Sequence, residues 1–312
     1  MRALALFSLL LLAACAGGPL GAPQPMGPSK IEKDAIVGAA RLPLSVWRSE
    51  EPPRAAILAL HGFGDYGPST YAHAAEYWAS LGIVTYAYDQ RGFGRGDTRG
   101  AWPGAETLIA DAVAAAAAVR AAHPDIPVHL LGHSMGGGVA LAAAGDGANA
   151  DGLILAAPAV WGGERLALPY RAAAWAGALI LPDKRWTGEG VVRIQASDNI
   201  EMLRALGRDP VYLRNPSSRE FMGLIRVMDR AVAAAPEINT PVLTLWGEKD
   251  EVLERAPIEA AHDAIQTEKR MEIYPEGWHL LFRDLQARTV WKDVAEWVLA
   301  KPIRLAGVAP DG

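Results

Sequence analysis

The sequence PVHLLGHSMGGGVALAAA, Pro127 to Ala144, decides the fold of this chain. It begins with a short apolar run, Val128 to Leu131, that predicts a buried strand, and it ends in an alanine-rich stretch typical of a helix. Between them, GHSMG at 132–136 fits the pattern G-x-S-x-G, in which a sharp turn exposes the hydroxyl of a serine, here Ser134. The flanking strand and helix favour this interpretation over a glycine-rich turn with an incidental serine.

Three further short motifs flank this stretch: HGFGD at 61–65, GEKD at 247–250 and GWH at 277–279. Together with GHSMGG after an apolar strand, they resemble the α/β-hydrolase superfamily, and most of all its monoacylglycerol lipase and lysophospholipase branch. The similarity spans about residues 35 to 300. It implies a serine hydrolase that cleaves carboxylic esters of small lipids. The implied fold is a mostly parallel, doubly wound α/β sheet with a helical cap insertion.

The resemblance assigns three catalytic roles to residues that lie far apart in the chain. Ser134 would be the nucleophile, His279 the base that takes its proton, and Asp250 the carboxylate that orients the imidazole. Glu248 and Glu251 compete with Asp250 on composition, but Asp250 matches the spacing G-x-x-D just past a predicted strand. Among the seven histidines, His279 alone gives the order Ser, Asp, His, in a loop after the last predicted strand.

The same resemblance assigns the stabilisation of an oxyanion to two backbone N–H groups. One belongs to Phe63, in the loop that follows His61-Gly62, and the other to Met135, directly after the nucleophile. Because the donors are main-chain groups, the side chains at these positions neither support nor exclude the assignment. We interpret His61 as a residue that braces the loop, since His279 is better placed to act as the base.

Apolar runs alternate with helical patterns along most of the chain. Strands are predicted at 35–37, 44–47, 55–60, 83–88, 128–131, 153–157, 242–246 and 269–274. The alternation predicts right-handed crossovers and a doubly wound parallel sheet, with catalytic groups at the carboxyl ends of the strands. The loop DQRGFGRGD at 89–97 resembles a family loop, and we expect it to be structural with solvated arginines.

We predict a helical cap at 160–236, where the strand pattern is interrupted, inserted into a core formed by 35–159 and 237–302. The cap contains an apolar segment, Leu166 to Leu181, whose single charge is Arg171. Such a segment is too apolar for a helix on a soluble surface, so it is predicted to pack against the core, to line an acyl-chain pocket, or both. The residues predicted to contact the substrate are Trp161, Leu166, Trp175 and Trp186.

The first fifteen residues, MRALALFSLLLLAAC, combine one basic residue, an apolar run and small residues, as export signals do. LAAC at 12–15 resembles a bacterial lipobox, in which the cysteine, here Cys15, is lipidated; an ordinary secretory signal is the alternative. Residues 16–34, rich in Gly and Pro, are predicted to be a flexible tether. We therefore predict a lipid-anchored protein of the bacterial cell envelope, at the outer membrane because Ala16 rather than aspartate follows the cysteine.

Composition argues against several other classes of function. The 312 residues carry a net charge of −5, which gives no support to nucleic-acid binding. The sequence contains no metal-ligand pattern and no phosphate-binding glycine loop. We predict no cofactor and no metal, and a small ester or lipid as the binding partner, and we leave the oligomeric state open.

Two alternative functions remain open. A serine aminopeptidase or amidase on the same fold would need an acidic subsite for the substrate amine, and Glu164, Glu189 and Glu220 are candidates for it. A catalytically silent lipid-binding lipoprotein would keep the fold as a binding module, which the intact order Ser, Asp, His disfavours.

Overall fold

A computed structural model describes residues 31–37, 40–162, 168–186 and 194–300. The predicted export signal, Cys15 and most of the predicted tether precede these ranges. Leu166, predicted to contact the substrate, and Glu164 and Glu189, candidates for an acidic subsite, also lie outside the described residues.

Eight strands form one sheet in the described part of the chain. They are β1 Ile31–Val37, β2 Ala40–Trp47, β3 Ala55–Leu60, β4 Ile83–Tyr88, β5 Val128–His133, β6 Gly152–Ala156, β7 Val242–Gly247 and β8 Lys269–Tyr274. Their spatial order is β1-β2-β4-β3-β5-β6-β7-β8. β2 is antiparallel to β1 and to β4, and all the other neighbours are parallel. The prediction of a mostly parallel sheet is confirmed.

Helices cover both faces of this sheet. They are α1 Gly67–Ser80, α2 Ala105–Ala122, α3 Met135–Gly145, α4 Leu168–Ile180, α5 Ile200–Arg208, α6 Ser218–Ala234, α7 Arg255–Ala264 and α8 Ala287–Leu299, with a short 3₁₀ helix at Ala235–Glu237. Trp78 of α1 and Val294 of α8 belong to the apolar cluster on one face, whereas Leu108 of α2 and Val139 of α3 belong to the cluster on the other.

The central strands are buried on both faces, which explains their continuous apolar sequences. Every residue of β3, β5, β6 and β7 is buried. Successive side chains on a strand point to opposite faces, so Leu130 joins the cluster with α2 and α3 while Leu131 joins the cluster with α1 and α8. The loops at the carboxyl ends of these strands therefore start from a rigid core.

Between β6 and β7, the described chain adds no strand to the sheet and forms α4, α5 and α6. α6 begins with a capping box, in which the Ser217 hydroxyl accepts from the Glu220 N–H and the Glu220 carboxylate accepts from the Ser217 N–H. The buried face of α6, which includes Phe221, Leu224 and Met228, packs against α3. The limits of the cap stay a prediction.

The apolar segment that contains α4 is not buried as a whole. Ala174 is buried, but Trp175, Leu179 and Ile180 are 60%, 65% and 72% exposed. The expectation that this segment turns its apolar surface into the protein is wrong for these three side chains. No helix within the described ranges is both long enough and apolar enough to cross a membrane.

The arginines of the loop at 89–97 are paired, which corrects the expectation that they are solvated. Arg91 donates to both carboxylate oxygens of Asp111, at 3.0 and 2.7 Å. Arg95 donates to both oxygens of the buried Asp89, at 2.7 and 2.9 Å. Asp89 also accepts from the Gly67 N–H, so this loop joins the end of β4 to the start of α1 and, through Asp111, to α2.

Candidate active site

Ser134 is the single residue between β5 and α3. Its backbone has a φ of 53° and a ψ of −118°, a strained conformation for a residue with a side chain. A Cβ on Gly132 would overlap the carbonyl of Gly136, and a Cβ on Gly136 would overlap the carbonyl of Leu60. Both glycines are therefore required by the close approach of strand, turn and helix.

The structure brings Ser134, Asp250 and His279 together. His279 Nε2 lies 3.0 Å from Ser134 Oγ, and His279 Nδ1 lies 2.8 Å from Asp250 Oδ2. The side chains of His279 and Asp250 are 3% and 0% exposed, so water competes little for these hydrogen bonds. Since the Nδ1–H donates to the carboxylate, Nε2 is available to accept the hydroxyl proton.

Backbone groups hold the second oxygen of Asp250. Asp250 Oδ1 accepts from the Val252 N–H at 2.8 Å and from the Leu253 N–H at 2.9 Å, which leaves Oδ2 for the imidazole. Of the two alternatives, Glu251 accepts from a backbone N–H at position 195, and Glu248 contacts an arginine of α7. Asp250 is therefore the carboxylate that the fold presents to the histidine.

Two other histidines in the site have fixed, neutral roles. His133 Nε2 faces the carbonyl of His279 at 2.9 Å, so it must carry the proton and donate. Burial, and then the neighbouring His279, lower the pKa of His133 to about 3, and its ring stays neutral at physiological pH. His61 Nε2 accepts from the Gln90 N–H, while His61 Nδ1 faces the carbonyl of Gly62; these contacts brace the loop as expected.

The loop that carries Phe63 lies beside the nucleophile. A Cβ placed on Gly62 would stand 3.4 Å from Ser134 Cβ. Met135 begins α3, so its N–H belongs to a first helical turn, where donors lack intrahelical partners and the helix dipole favours negative charge. Neither the Phe63 N–H nor the Met135 N–H donates to another backbone group within the described ranges. Their part in catalysis stays a prediction.

The loop after β8 is held by residues that the sequence interpretation missed. Asp284 accepts from the Trp278 N–H at 2.8 Å and from the Ser197 hydroxyl at 2.6 Å. Arg283 forms a buried ion pair with Asp65, 2.5 Å between Nη2 and Oδ2. Asp65 ends the motif HGFGD and could have been found there. The partners of Asp284 and Arg283 come from distant segments, so no local pattern indicates them.

A cavity of about 40 Å³ lies beside Ser134. Space of that size holds roughly one water molecule. Ligand pockets are usually about 300–1,000 Å³, so this cavity alone is smaller than a lipid substrate needs. One cap residue, Leu213, donates its N–H to the Gly64 carbonyl at 2.8 Å. The lining residues are Gly62, Phe63, Asp65, His133, Ser134, Tyr212, Leu213, Arg214, Pro216, Val252, His279 and Leu280.

The three described tryptophans that were predicted to contact the substrate do not line this cavity. Trp161 is buried in the apolar core, and Trp175 is mostly exposed on α4. Trp186 donates its indole N–H to the Ser218 hydroxyl at 2.9 Å and lies against Lys184. Core packing, exposure and a hydrogen bond within the cap therefore keep these side chains away from Ser134.

The acidic subsite needed for an amine substrate is not found in the described lining of this cavity. Glu220, one of its candidates, is 1% exposed and is engaged by the capping box of α6 and by Arg185. Asp65 lines the cavity but is paired with Arg283. Within the described ranges, no group of three or more His, Cys, Asp or Glu side chains is arranged to hold a metal ion.

The chain is similar in sequence and in structure to known lipases. The chain is 28% identical to the monoacylglycerol lipase of Mycolicibacterium smegmatis over 279 residues, which cover 85% of this chain and 95% of that protein. It is 25% identical to the monoglyceride lipase of Homo sapiens over 272 residues, which cover 85% and 88%. A soluble variant of monoglyceride lipase from Saccharomyces cerevisiae, in complex with a substrate analog, has a similar structure: the TM-score is 0.74 at 21% identity, with 89% of this chain and 98% of that chain covered.

The family Hydrolase_4, described as serine aminopeptidase S33, matches residues 51–286. That match covers most of the chain and includes the predicted nucleophile, acid and histidine. The chain therefore belongs to the serine aminopeptidase S33 family and is a hydrolase with the α/β-hydrolase fold.

Proposed function

We propose that the protein is a serine hydrolase that cleaves carboxylic esters of single-chain lipids, either monoacylglycerols or lysophospholipids. The hydrogen-bonded series of Asp250, His279 and Ser134, with the serine at a strained strand-to-helix turn, carries this proposal. Relatives named monoacylglycerol lipase and monoglyceride lipase support ester hydrolysis. The family description names an aminopeptidase, but the described lining has no unpaired carboxylate for a substrate amine.

In the proposed reaction, Ser134 Oγ attacks the ester carbonyl while His279 Nε2 takes the hydroxyl proton. Asp250 keeps Nδ1 protonated and stabilises the imidazolium. The backbone N–H groups of Phe63 and Met135 would donate to the oxyanion of the tetrahedral intermediate. His279 then returns its proton to the departing alcohol, and the acyl group remains on Ser134 Oγ.

Water completes the proposed cycle. His279 removes a proton from water, the resulting hydroxide adds to the acyl carbonyl, and the fatty acid leaves as Ser134 recovers its proton. His133 stays neutral during these steps because burial holds its pKa at about 3. Of the two histidines in the described lining, only His279 then exchanges protons with the substrate.

We expect the acyl chain to lie between the core loops and the cap, along the apolar lining residues Phe63, Leu213, Val252 and Leu280. Burial of each methylene stabilises by about 0.8 kcal/mol, so each added carbon should raise kcat/KM about fourfold until the available space is filled. We expect a higher kcat/KM for esters with one long acyl chain than for acetyl esters, which bury little apolar surface. We also expect a higher kcat/KM than for triacylglycerols, which must fit further chains past the cap.

The test measures wild type and Ser134→Ala on p-nitrophenyl esters of two to sixteen carbons, monoolein, triolein and an alanyl arylamide. We expect unchanged folding and a loss of hydrolysis greater than the ~10²- to 10³-fold seen when one oxyanion donor is removed. The exposed Ser80→Ala is the matched control. Labelling of the variant by a fluorophosphonate probe, or a flat chain-length profile with preference for the arylamide, would overturn the proposal.

We further propose that the mature protein is held at the outer membrane of a bacterial cell envelope by a lipidated Cys15. LAAC at 12–15 supports this, together with the apolar run before it and the absence of any other cysteine in the sequence. Several acyl chains on one residue anchor a protein stably, whereas one chain binds only marginally.

A further inference from the structure

Arg214 is a cationic residue in the lining of the cavity that contains the candidate nucleophile. The residue is half-buried and lines the same space as Ser134 and His279. No hydrogen bond or ion pair joins it to another residue within the described ranges. By contrast, Arg283 in the neighbouring wall donates to Asp65 at 2.5 Å and to the Ser69 hydroxyl at 3.0 Å.

The carboxylates close to this cavity are already neutralised by other partners. Asp65 is 3% exposed and pairs with Arg283. Burial alone would raise the pKa of Asp65, but Arg283 and the Ser69 hydroxyl outweigh it and hold the pKa below its usual value, so the pair stays ionic. The side chain of Asp250 has no exposed surface and is bound to His279 and two backbone N–H groups. The uncompensated charge in the described lining is therefore positive.

Two contacts fix the backbone just before Arg214 to the core, one to the loop that carries Phe63 and one to Arg99. Leu213 donates its N–H to the Gly64 carbonyl at 2.8 Å. Arg99 donates to the carbonyls of Pro210 and Val211, at 2.5 and 2.9 Å. The backbone next to Arg214 is thus fixed at the cavity that contains Ser134, whereas the Arg214 side chain has no hydrogen-bond or ion-pair partner in the described ranges.

We propose that Arg214 is a specificity-determining residue that binds the phosphodiester of a single-chain lysophospholipid, beside the ester that Ser134 attacks. This inference rests on the proposed function and names the head group that it leaves open. A guanidinium presents paired N–H donors that match two phosphate oxygens, and a half-buried cation gains most from a partner that arrives already charged. The same charge repels a substrate ammonium, which counts against an aminopeptidase.

The test compares Arg214→Gln and Arg214→Lys with wild type on three 1-oleoyl lipids in mixed micelles of one neutral detergent. The lipids are lysophosphatidylglycerol, which is anionic, lysophosphatidylcholine, which is zwitterionic, and monoolein, which has no phosphate. Loss of a charge-assisted hydrogen bond should lower kcat/KM roughly 10- to 100-fold on both phospholipids for Arg214→Gln, and less for Arg214→Lys. Monoolein should change less than about threefold, and the exposed Arg204→Gln should change none of the three.

Three other results would overturn the phosphate contact, the role of Arg214 or the proposed function. An equal loss on all three lipids would make Arg214 a structural residue and leave the esterase proposal intact. A loss confined to lysophosphatidylglycerol would indicate long-range attraction to net charge and overturn the phosphate contact. Absence of turnover of every ester by folded wild-type protein would overturn the proposed function, and this inference with it.

Discussion

Asp284 lies five residues after His279 and joins the histidine loop to the segment that precedes α5. One carboxylate oxygen accepts from the Ser197 hydroxyl and the other from the Trp278 N–H. Burial raises the pKa of Asp284 to about 6, although both hydrogen bonds oppose the increase. A residue that holds the loop carrying His279 is therefore also a group whose carboxyl pKa lies in a mildly acidic range.

The sign of the resulting pH dependence follows from proton binding. Between the ordinary carboxyl pKa of about 3.8 and the folded value of about 6, the folded protein binds a proton that the unfolded chain does not. The stability contributed by this group is fully present below about pH 3.8 and is lost as the pH rises through 6. The difference between the two pKa values corresponds to roughly 3 kcal/mol.

We therefore predict that the free energy of unfolding of wild type falls relative to Asp284→Asn as the pH rises from 4 to 7, by at most roughly 3 kcal/mol. Urea unfolding at several pH values measures this difference. The exposed Asp125→Asn controls for the loss of one carboxylate. Parallel stability curves for wild type and Asp284→Asn would contradict the shifted titration.

Among the secondary-structure elements, the strands were predicted from the sequence more accurately than the helices between β6 and β7. The predicted limits of β3, β4 and β8 agree with the structure, because continuous or alternating apolar runs between turns leave little freedom. α5 was not predicted, because it is short and none of its residues is buried. Its available signals were the helical spacing of Met202, Leu203 and Leu206, which pack against the core, and Asn199, whose side chain caps the helix by accepting from the Met202 N–H.

The residues of the candidate site also differ in how far the sequence could predict them. Ser134, Asp250 and His279 carry motifs that can be recognised locally, and the structure brings them together. Arg214 and Asp284 acquire their surroundings only when segments far apart in sequence meet, so composition and spacing could not indicate them.

Two glycines in the helices between β6 and β7 should respond oppositely to substitution by alanine. Gly223 of α6 lies under the indole of Trp102, and a Cβ there would overlap the ring. Gly207 of α5 has open space around the same position. Gly223→Ala should lower stability by about 1–3 kcal/mol through overpacking, whereas Gly207→Ala should raise it by up to about 1 kcal/mol through helix propensity. Denaturant midpoints measure both, and a similar change in the two variants would exclude tight packing at Trp102.

The proposal that the whole molecule is attached to a membrane can be tested by replacing one sulfur atom with oxygen. Cys15→Ser removes the thiol that lipidation requires and keeps the rest of the export signal. We expect the exported variant in the soluble fraction and the wild type in the membrane fraction after a high-salt wash. Ser134→Ala, which keeps the cysteine, should fractionate like the wild type. An exported Cys15→Ser protein that stays with the membrane would locate the anchor elsewhere.

The hydrogen bond from the Leu213 N–H to the Gly64 carbonyl joins the predicted cap to the loop proposed to hold the oxyanion. A Cβ on Gly64 would stand 2.5 Å from the Leu213 carbonyl, so the two backbones meet without room for a side chain. We therefore expect a change in the chain around Leu213 to affect the proposed oxyanion loop as well as the binding of the substrate. A cap transplanted from a relative would transfer its specificity only if it met the recipient loop at this distance. A chimaera joined at the cap boundaries alone would lose rate on every substrate, old and new.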